Sequence, residues 1–375
     1  MILLFQRWLA PYRVPLLARL SQALDGELTV ASGASPTGEA ATPQGFAHVE
    51  LRNRWFRGET AVWQDYRTAL RAVPKPSVII GEHNPRILSH LPLLRWARRN
   101  DVGFVLWGHG VSQRRDIEAG DWQQRVHRWW IGQCDAYIAY TAERRARLED
   151  VFGAGKFFHA TNTLDTDALF QARRALEQEG VAKVKSRLGL TRKHYLLFIG
   201  RIHQDKQPRT LLSLAQALRE RGLDVGAIFI GDGPERETLI AEAGDDAVFP
   251  GAIHDLNESA PWLFASDLLV MPHWAGLAVN HGLSLGLPIL TQTDVPGLPR
   301  HPPEIAYVGD DDTGFIVPYG DATKLADAAA TLITERDRFR TQAIAYAERE
   351  LSIDAWVQGM LAGIDHAKRR HGTRQ

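Results

Sequence analysis

The stretch Leu196-Leu197-Phe198-Ile199-Gly200-Arg201, continuing into Ile202-His203-Gln204-Asp205-Lys206, decides the fold. A short, wholly apolar run that ends in glycine reads as a strand buried on both faces, as in parallel sheets covered by helices. Arg201 and Lys206 then fall in the loop beyond the strand's carboxyl end, where open α/β sheets bind their ligands. There they could clamp a diphosphate, Arg201 as a bidentate fork and Lys206 as a point charge. Solvated loop charges are the rival reading, and the pair alone does not choose.

The same strand pattern recurs along the chain. Apolar runs at Ile2–Phe5, Glu27–Ala31, Ser77–Ile80, Gly103–Trp107 and Ala136–Tyr140 precede the quoted strand. Val225–Ile230, Leu268–Met271 and Pro288–Thr291 follow it. Between them lie helical patterns at Pro15–Leu24, Thr60–Ala72, Leu91–Asn100, Asp121–Gly132, Ala142–Val151, Pro208–Arg221, Pro234–Ala243 and Ala322–Glu335. Alternating strands and helices predict an α/β protein with doubly wound parallel sheets. The pattern occurs once before and once after residue 170. The polar, helix-patterned stretch Asp165–His194 therefore reads as the boundary between domains at 1–170 and 171–353, with a final amphipathic helix over about 354–375. Gly33–Phe46, rich in Gly, Ser, Thr and Pro, reads as a loop.

Bulk properties agree. A chain of 375 residues suits two domains, and 45% apolar content supplies a core for each. Net charge is zero, yet residues 1–150 carry 20 Lys/Arg against 15 Asp/Glu. A mildly basic front half suits an anionic acceptor or an anionic membrane surface; random scatter explains it equally well. The lone cysteine, Cys134, excludes an internal disulfide and fits a reducing, cytoplasmic setting. Met1-Ile2-Leu3-Leu4-Phe5 is too short for a signal core and reads as a first strand. No apolar run reaches membrane-spanning length.

A second signal runs from Met271-Pro272-His273-Trp274-Ala275-Gly276-Leu277 into Ala278-Val279-Asn280-His281 and closes at Gly286-Leu287-Pro288. It reads as strand, glycine-bearing loop, helix start, helix end, with free backbone N–H groups that favour phosphate. His273 and His281 could face one cleft, but two histidines without a third ligand are weak evidence for a metal.

Taken together, Gly200-Arg201-x4-Lys206, Gly231-Asp232-Gly233-Pro234 and the Gly276-Leu277…Gly286-Leu287-Pro288 block resemble GT-B glycosyltransferases, in particular the family 4-like retaining enzymes. The resemblance is clearest over about 195–330 and extends more weakly upstream through Trp107-Gly108-His109-Gly110 and Tyr140-Thr141…Asn162-Thr163-Leu164-Asp165. It implies two Rossmann-like domains facing a cleft, a nucleotide-sugar donor on the second, the acceptor on the first, and a last helix that crosses back to the first. By position, Arg201 and Lys206 would neutralise the donor diphosphate, and Gly276 and Leu277 would offer amides to it. His109 would hydrogen-bond near the transferred sugar. Gly200, Gly231 and Asp232 would line the donor site, and Arg7, Tyr12 and Arg13, after the first strand, would face the acceptor. His83 follows a strand and is a weaker candidate.

The chain departs from that family at one point. The usual Glu-x7-Glu is His273-x7-His281 here. A histidine can still bond a hydroxyl. Glu304, in His301-Pro302-Pro303-Glu304-Ile305, could supply the missing carboxylate, or be a solvated loop residue. Asp310-Asp311-Asp312 reads as a turn before Thr313-Gly314-Phe315-Ile316-Val317 rather than as a metal motif. Trp122, Arg125, Arg128, Trp129 and Trp130 give a basic aromatic helix that could dock on a membrane bearing a lipid-linked acceptor; a core-facing helix with snorkelling arginines is the preferred alternative.

The resemblance implies sugar transfer from a nucleoside diphosphate-sugar to a glycan or lipid-linked acceptor, with retention and with no metal or other cofactor, plausibly in surface polysaccharide synthesis. The setting would be cytoplasmic or peripheral at the inner membrane face. Nucleic acid is not an expected partner. Two alternatives stay open: a nucleotide-sugar epimerase of the same shape, and an inactive nucleotide-sugar-binding scaffold, which the missing glutamates would suit. A dinucleotide dehydrogenase is disfavoured, because no Gly-x-Gly-x-x-Gly follows an early strand.

Overall fold

The computed structural model describes residues 1–36, 38, 40–56, 58, 60–110, 122–309 and 312–372. They form two compact units, Met1–Asp165 with Ile353–Gln375, and Thr166–Ser352.

In the first unit the strands are β1 (Ile2–Gln6), β2 (Leu28–Gly33), β3 (Ala47–Leu51), β4 (Asn53–Phe56), β5 (Ala61–Gln64), β6 (Val78–Glu82), β7 (Gly103–Gly108), β8 (Ala136–Ala139) and β9 (Phe157–His159). All but β4 and β5 join a parallel sheet ordered β3-β2-β1-β6-β7-β8-β9. The helices are α1 (Val14–Ala23), α2 (Tyr66–Ala72), α3 (His90–Arg99), α4 (Trp122–Gln133) and α5 (Ala142–Phe152). Alternate strand residues feed opposite layers, as the two-residue repeat of a strand requires. Ile2 and Leu4 pack with Leu16, Leu17 and Leu20 of α1, while Leu3 and Phe5 pack with Leu93 and Leu94 of α3.

One expected helix is corrected. Thr60–Ala72 splits into strand β5 and helix α2, and β5 pairs antiparallel with β4 in a separate hairpin. Val62, Tyr66 and Ala69 are all buried at helical spacing, so periodicity alone could not distinguish the two forms. The amide of Gln64 resolves it by donating to the Gln6 carbonyl at 2.9 Å. Strands β3 and β9 also escaped the sequence reading; β3 is a half-exposed edge strand with no apolar run.

In the second unit the strands are β10 (His194–Ile199), β11 (Val225–Ile230), β12 (Ala247–Gly251), β13 (Leu268–Met271), β14 (Ile289–Gln292) and β15 (Gly314–Val317). Its helices are α6 (Thr166–Glu179), α7 (Val181–Arg187), α8 (Arg209–Glu220), α9 (Arg236–Ala243), α10 (Leu256–Ala265), α11 (Ala278–Ser284), α12 (Ala322–Thr334) and α13 (Arg336–Tyr346). The parallel sheet order is β12-β11-β10-β13-β14-β15. Winding thus proceeds outward from β10 on one side and from β13 on the other, which places the topological switch point between these two strands. In the first unit the same logic puts it between β1 and β6.

The last helix, α14 (Ile353–Gly372), belongs to the first unit. It packs on β7, β8, β9 and α1. Two glycines permit the close approach: a Cβ on Gly359 would lie 2.0 Å from the His159 carbonyl oxygen, and one on Gly363 would lie 2.6 Å from Ile138. Trp356 and Met360 fill the adjoining core. Among the described residues no helix is long and apolar enough to cross a membrane.

Candidate functional site

The second unit collects its candidates at the carboxyl ends of β10, β11, β13 and β14. Beyond β10 the chain turns at Gly200, whose φ of +130° is open only to glycine at little cost. The Lys206 ammonium lies over it, 2.9 Å from where a Cβ would stand. Burial lowers the Lys206 pKa, and among the described residues this ammonium has no ion-pair partner. Arg201 projects exposed from the same turn. Gly231, after β11, comes so close that a Cβ would sit 1.9 Å from the Gly200 carbonyl oxygen. The two loops are stitched by Ile202 N–H to the Asp232 carbonyl at 2.8 Å. Asp232 itself accepts the Gly233 N–H at 2.8 Å, so its carboxylate serves a turn.

Across the switch point, β13 leads into His273, Trp274 and Gly276. Trp274 has φ +59°, a left-handed conformation uncommon for a tryptophan. His273 is fully buried, with its ring 4.7 Å from that of His301. His301 accepts the Ala275 N–H at Nδ1, 3.1 Å away, and its backbone N–H donates to Asp294 at 2.9 Å. The loop after β14 thereby braces the loop after β13. Burial, then His273, pushes His301 down to about 4, and burial pushes His281 to about 4, so both are neutral at pH 7. His273 contacts His301; no ring contact joins it to His281. Gly276 and Leu277 precede α11, with their N–H groups not engaged by other backbone groups among the described residues. Glu304 is buried on a short 3-10 turn, Pro303–Tyr307, that packs on α11. It is therefore not a solvated loop residue. Asp310 and Asp311 of the triple-aspartate stretch lie outside the described residues, as does Asp121 before α4. Among the described residues no three His, Cys, Asp or Glu side chains gather as a metal site.

In the first unit Arg7, Tyr12, Arg13 and His109 come together at the carboxyl ends of β1, β6, β7 and β8. Arg13 is buried and donates to the Tyr140 hydroxyl at 2.9 Å, with its guanidinium 4.1 Å from the Trp107 ring centroid. Its Nε donates to the Tyr12 hydroxyl at 3.1 Å. Arg7 bonds Glu82 through both its backbone N–H and Nε, each at 3.1 Å. The His109 ring lies 4.6 Å from that of Tyr140, and burial, with Arg144 and Arg13, pushes it down to about 4. His83 Nδ1 is 2.8 Å from the Tyr137 hydroxyl, and its Nε2 is 3.3 Å from His127 Nδ1. Glu82, Tyr137 and His127 escaped the sequence reading; that Glu82 ends a buried strand was the one available signal.

On α4, Trp130 and Ile131 face the core, while Trp122, Val126 and Trp129 are 71%, 37% and 46% exposed. These three, spaced i, i+4, i+7, form an outward stripe. The helix is thus two-faced, where the preferred expectation was a core-facing helix with snorkelling arginines.

The whole architecture matches HepE from Anabaena, crystallised with UDP, with a TM-score of 0.66 at 15% identity, covering 97% of this chain and 99% of that one. The fold is that of the GT-B glycosyltransferases. A second GT-B structure, WaaG of lipopolysaccharide biosynthesis, matches with a TM-score of 0.58 at 14% identity over 97% of this chain and 98% of that one. Residues 193–335 match the family model described as glycosyl transferases group 1. This segment holds every GT-B donor-side candidate. A D-inositol 3-phosphate glycosyltransferase of Thermomonospora curvata is 30% identical over 267 residues, 62% of this chain and 57% of that protein. The mannosyltransferase LpsB of lipopolysaccharide core biosynthesis in Rhizobium meliloti is 28% identical over 232 residues, 57% of this chain and 61% of that protein. The chain thus spans little more than half the length of these curated relatives.

Proposed function

We propose that this protein is a family 4-like glycosyltransferase that moves a sugar from a nucleoside diphosphate-sugar onto an acceptor hydroxyl. The observation that carries the reading is Lys206, a half-buried ammonium with no anionic partner among the described residues, seated over Gly200 at the switch point of the second unit. An uncompensated cation in such a place is stabilised by an anionic ligand. The naming of UDP with HepE makes a uridine nucleotide the first to try. Lys206 and Arg201 would neutralise the departing diphosphate, helped by the amides of Gly276 and Leu277, which is electrostatic stabilisation of a leaving group. The bond from the anomeric carbon to the phosphate oxygen breaks, and one to the acceptor oxygen forms. The acceptor proton passes to the leaving phosphate, giving retention without a metal. His109, neutral through burial, would hydrogen-bond the sugar. His281 and Glu304 would take the places of the family's two glutamates, and His273 supports the loop through His301.

Calorimetry with UDP, GDP, ADP and their sugar conjugates tests the donor site. One nucleotide should bind, and the Arg201→Ala/Lys206→Ala protein should lose it. Donor turnover without acceptor would favour an epimerase; binding without transfer to any acceptor would favour a scaffold. NMR of the product should show a retained anomeric configuration, and EDTA should leave turnover unchanged.

The exposed stripe Trp122, Val126 and Trp129, on a helix with Arg125 and Arg128 and no acidic residue, supports contact with an anionic bilayer carrying a lipid-linked acceptor. Sedimentation with phosphatidylglycerol vesicles should carry down the wild type and leave Trp122→Ala/Trp129→Ala in solution.

A further inference from the structure

Glu82 closes β6 at the switch point of the first unit, and only one of its carboxylate oxygens is in use. Oε2 accepts both hydrogen bonds from Arg7. Among the described residues Oε1 accepts none, and with the side chain 14% exposed it is open to a ligand. We propose that Glu82 is an acceptor-binding residue, with Oε1 taking a hydrogen bond from a hydroxyl of a neutral sugar or polyol acceptor. This rests on the transferase reading and names the class of acceptor for it.

Three observations favour a hydroxyl over an anionic group. The nearby cations are engaged in large part: Arg7 Nε with Glu82, and Arg13 with Tyr140, Tyr12 and the face of Trp107, which leaves Arg13 Nη1 buried without a hydrogen bond among the described residues. The surrounding imidazoles of His83, His90 and His109 are neutral, because burial lowers each of them. An arriving anion would therefore meet a carboxylate, whereas a hydroxyl would meet a free, charged acceptor, the stronger kind of hydrogen bond. Trp8, half-buried with the Arg7 guanidinium 4.6 Å from its ring and Trp55 6.0 Å away, adds an aromatic face suited to the C–H side of a sugar.

The pair is not needed as a strut. β1 and β6 are joined along their length through Ile2↔Val78 to Phe5↔Gly81. Nor is Glu82 a proton abstractor. Burial by itself would raise its pKa, but Arg7 and Arg13 outweigh burial and hold the carboxyl below its usual range. It stays ionised and weakly basic, suited to holding a hydroxyl rather than deprotonating it.

The test uses the full chain with saturation-transfer NMR on myo-inositol, methyl α-D-mannopyranoside and methyl α-D-glucopyranoside, and calorimetry on inorganic phosphate and on UDP. At least one polyol should bind the wild type, and Glu82→Gln should weaken it about tenfold or more while leaving UDP binding as it was. Equal polyol affinity in both proteins would overturn the proposal and leave a structural ion pair. Phosphate binding that tightens in Glu82→Gln would overturn it in favour of an anionic acceptor, and so would failure of all three polyols to bind. Should Glu82→Gln fold poorly by circular dichroism, hydrogen exchange at the wild-type Arg7 amide gives the answer. Bound polyol must slow it, and an unchanged rate overturns the proposal. Loss of UDP binding in wild type would strike the donor reading instead, and is read separately.

Discussion

The Lys206 ammonium rests against the α-carbon of Gly200, so that a single added methyl at Gly200 would stand 2.9 Å from Nζ. The loop after β10 is thus shaped around the absence of a side chain, and the cation is held where the strand ends.

Gly200→Ala should therefore do two things. It should strain a backbone at φ +130°, costing about 1–3 kcal/mol, and it should displace Lys206. Urea unfolding reads the first effect, and UDP calorimetry reads the second as a loss of at least about tenfold in affinity. A variant that folds less stably yet binds UDP with wild-type affinity would show that Lys206 does not touch the donor.

Removing the Lys206 charge should cost more than removing that of Arg201, because Lys206 is half-buried while Arg201 is exposed and screened. Lys206→Ala should weaken nucleotide binding about 10- to 100-fold, and Arg201→Ala less. The Arg201 effect alone should shrink steeply between low and high salt.

Tyr137 and two histidines form a chain. The Tyr137 hydroxyl lies 2.8 Å from His83 Nδ1, and the expected direction is from the hydroxyl to the ring nitrogen. His83 would then carry its proton on Nε2, 3.3 Å from His127 Nδ1. Nitrogen-15 NMR should show His83 as the neutral Nε2–H tautomer at pH 7. Tyr137→Phe should leave His83 Nδ1 without its partner, at a cost of about 1–3 kcal/mol. An Nδ1–H tautomer in wild type would refute the chain.

Acid should destabilise the protein early. His90 and His301 are pushed from 6.5 down to about 4, in both cases chiefly by burial. Between those values the unfolded chain binds protons that the folded one refuses. Stability is therefore full above about pH 6.5 and is lost as pH falls toward 4, by up to about 1.4 kcal/mol per pH unit for each histidine. Urea midpoints from pH 7 to pH 5 should fall accordingly, and His90→Leu should flatten the slope.

Gly359→Ala should loosen α14 from the first unit, since its methyl would lie 2.0 Å from the His159 carbonyl oxygen. Overpacking against backbone costs about 1–3 kcal/mol or more. A wild-type unfolding midpoint would mean that the helix can shift without loss.

Much of this was legible in the sequence, because the strands concerned are buried on both faces and spell themselves as apolar runs. Leu196–Ile199, Val225–Ile230 and Leu268–Met271 needed no tertiary information to be read as parallel strands, and with them came the loops that carry Arg201, Lys206 and Gly276. Half-exposed elements were not legible: the β4–β5 hairpin hid behind the helical spacing of Val62, Tyr66 and Ala69. Pairings between distant residues were out of reach altogether. Nothing in the sequence couples His273 to His301, Arg7 to Glu82 or Tyr137 to His83. Each partner stands on or just beyond a different strand, and only the sheet order, set by how the whole layer packs, brings those strands side by side. Local chemistry, written in apolar runs and glycines, determined the sheets and the donor loops. The identity of each charge's and each imidazole's neighbour, and hence its protonation, was decided only when the sheets closed.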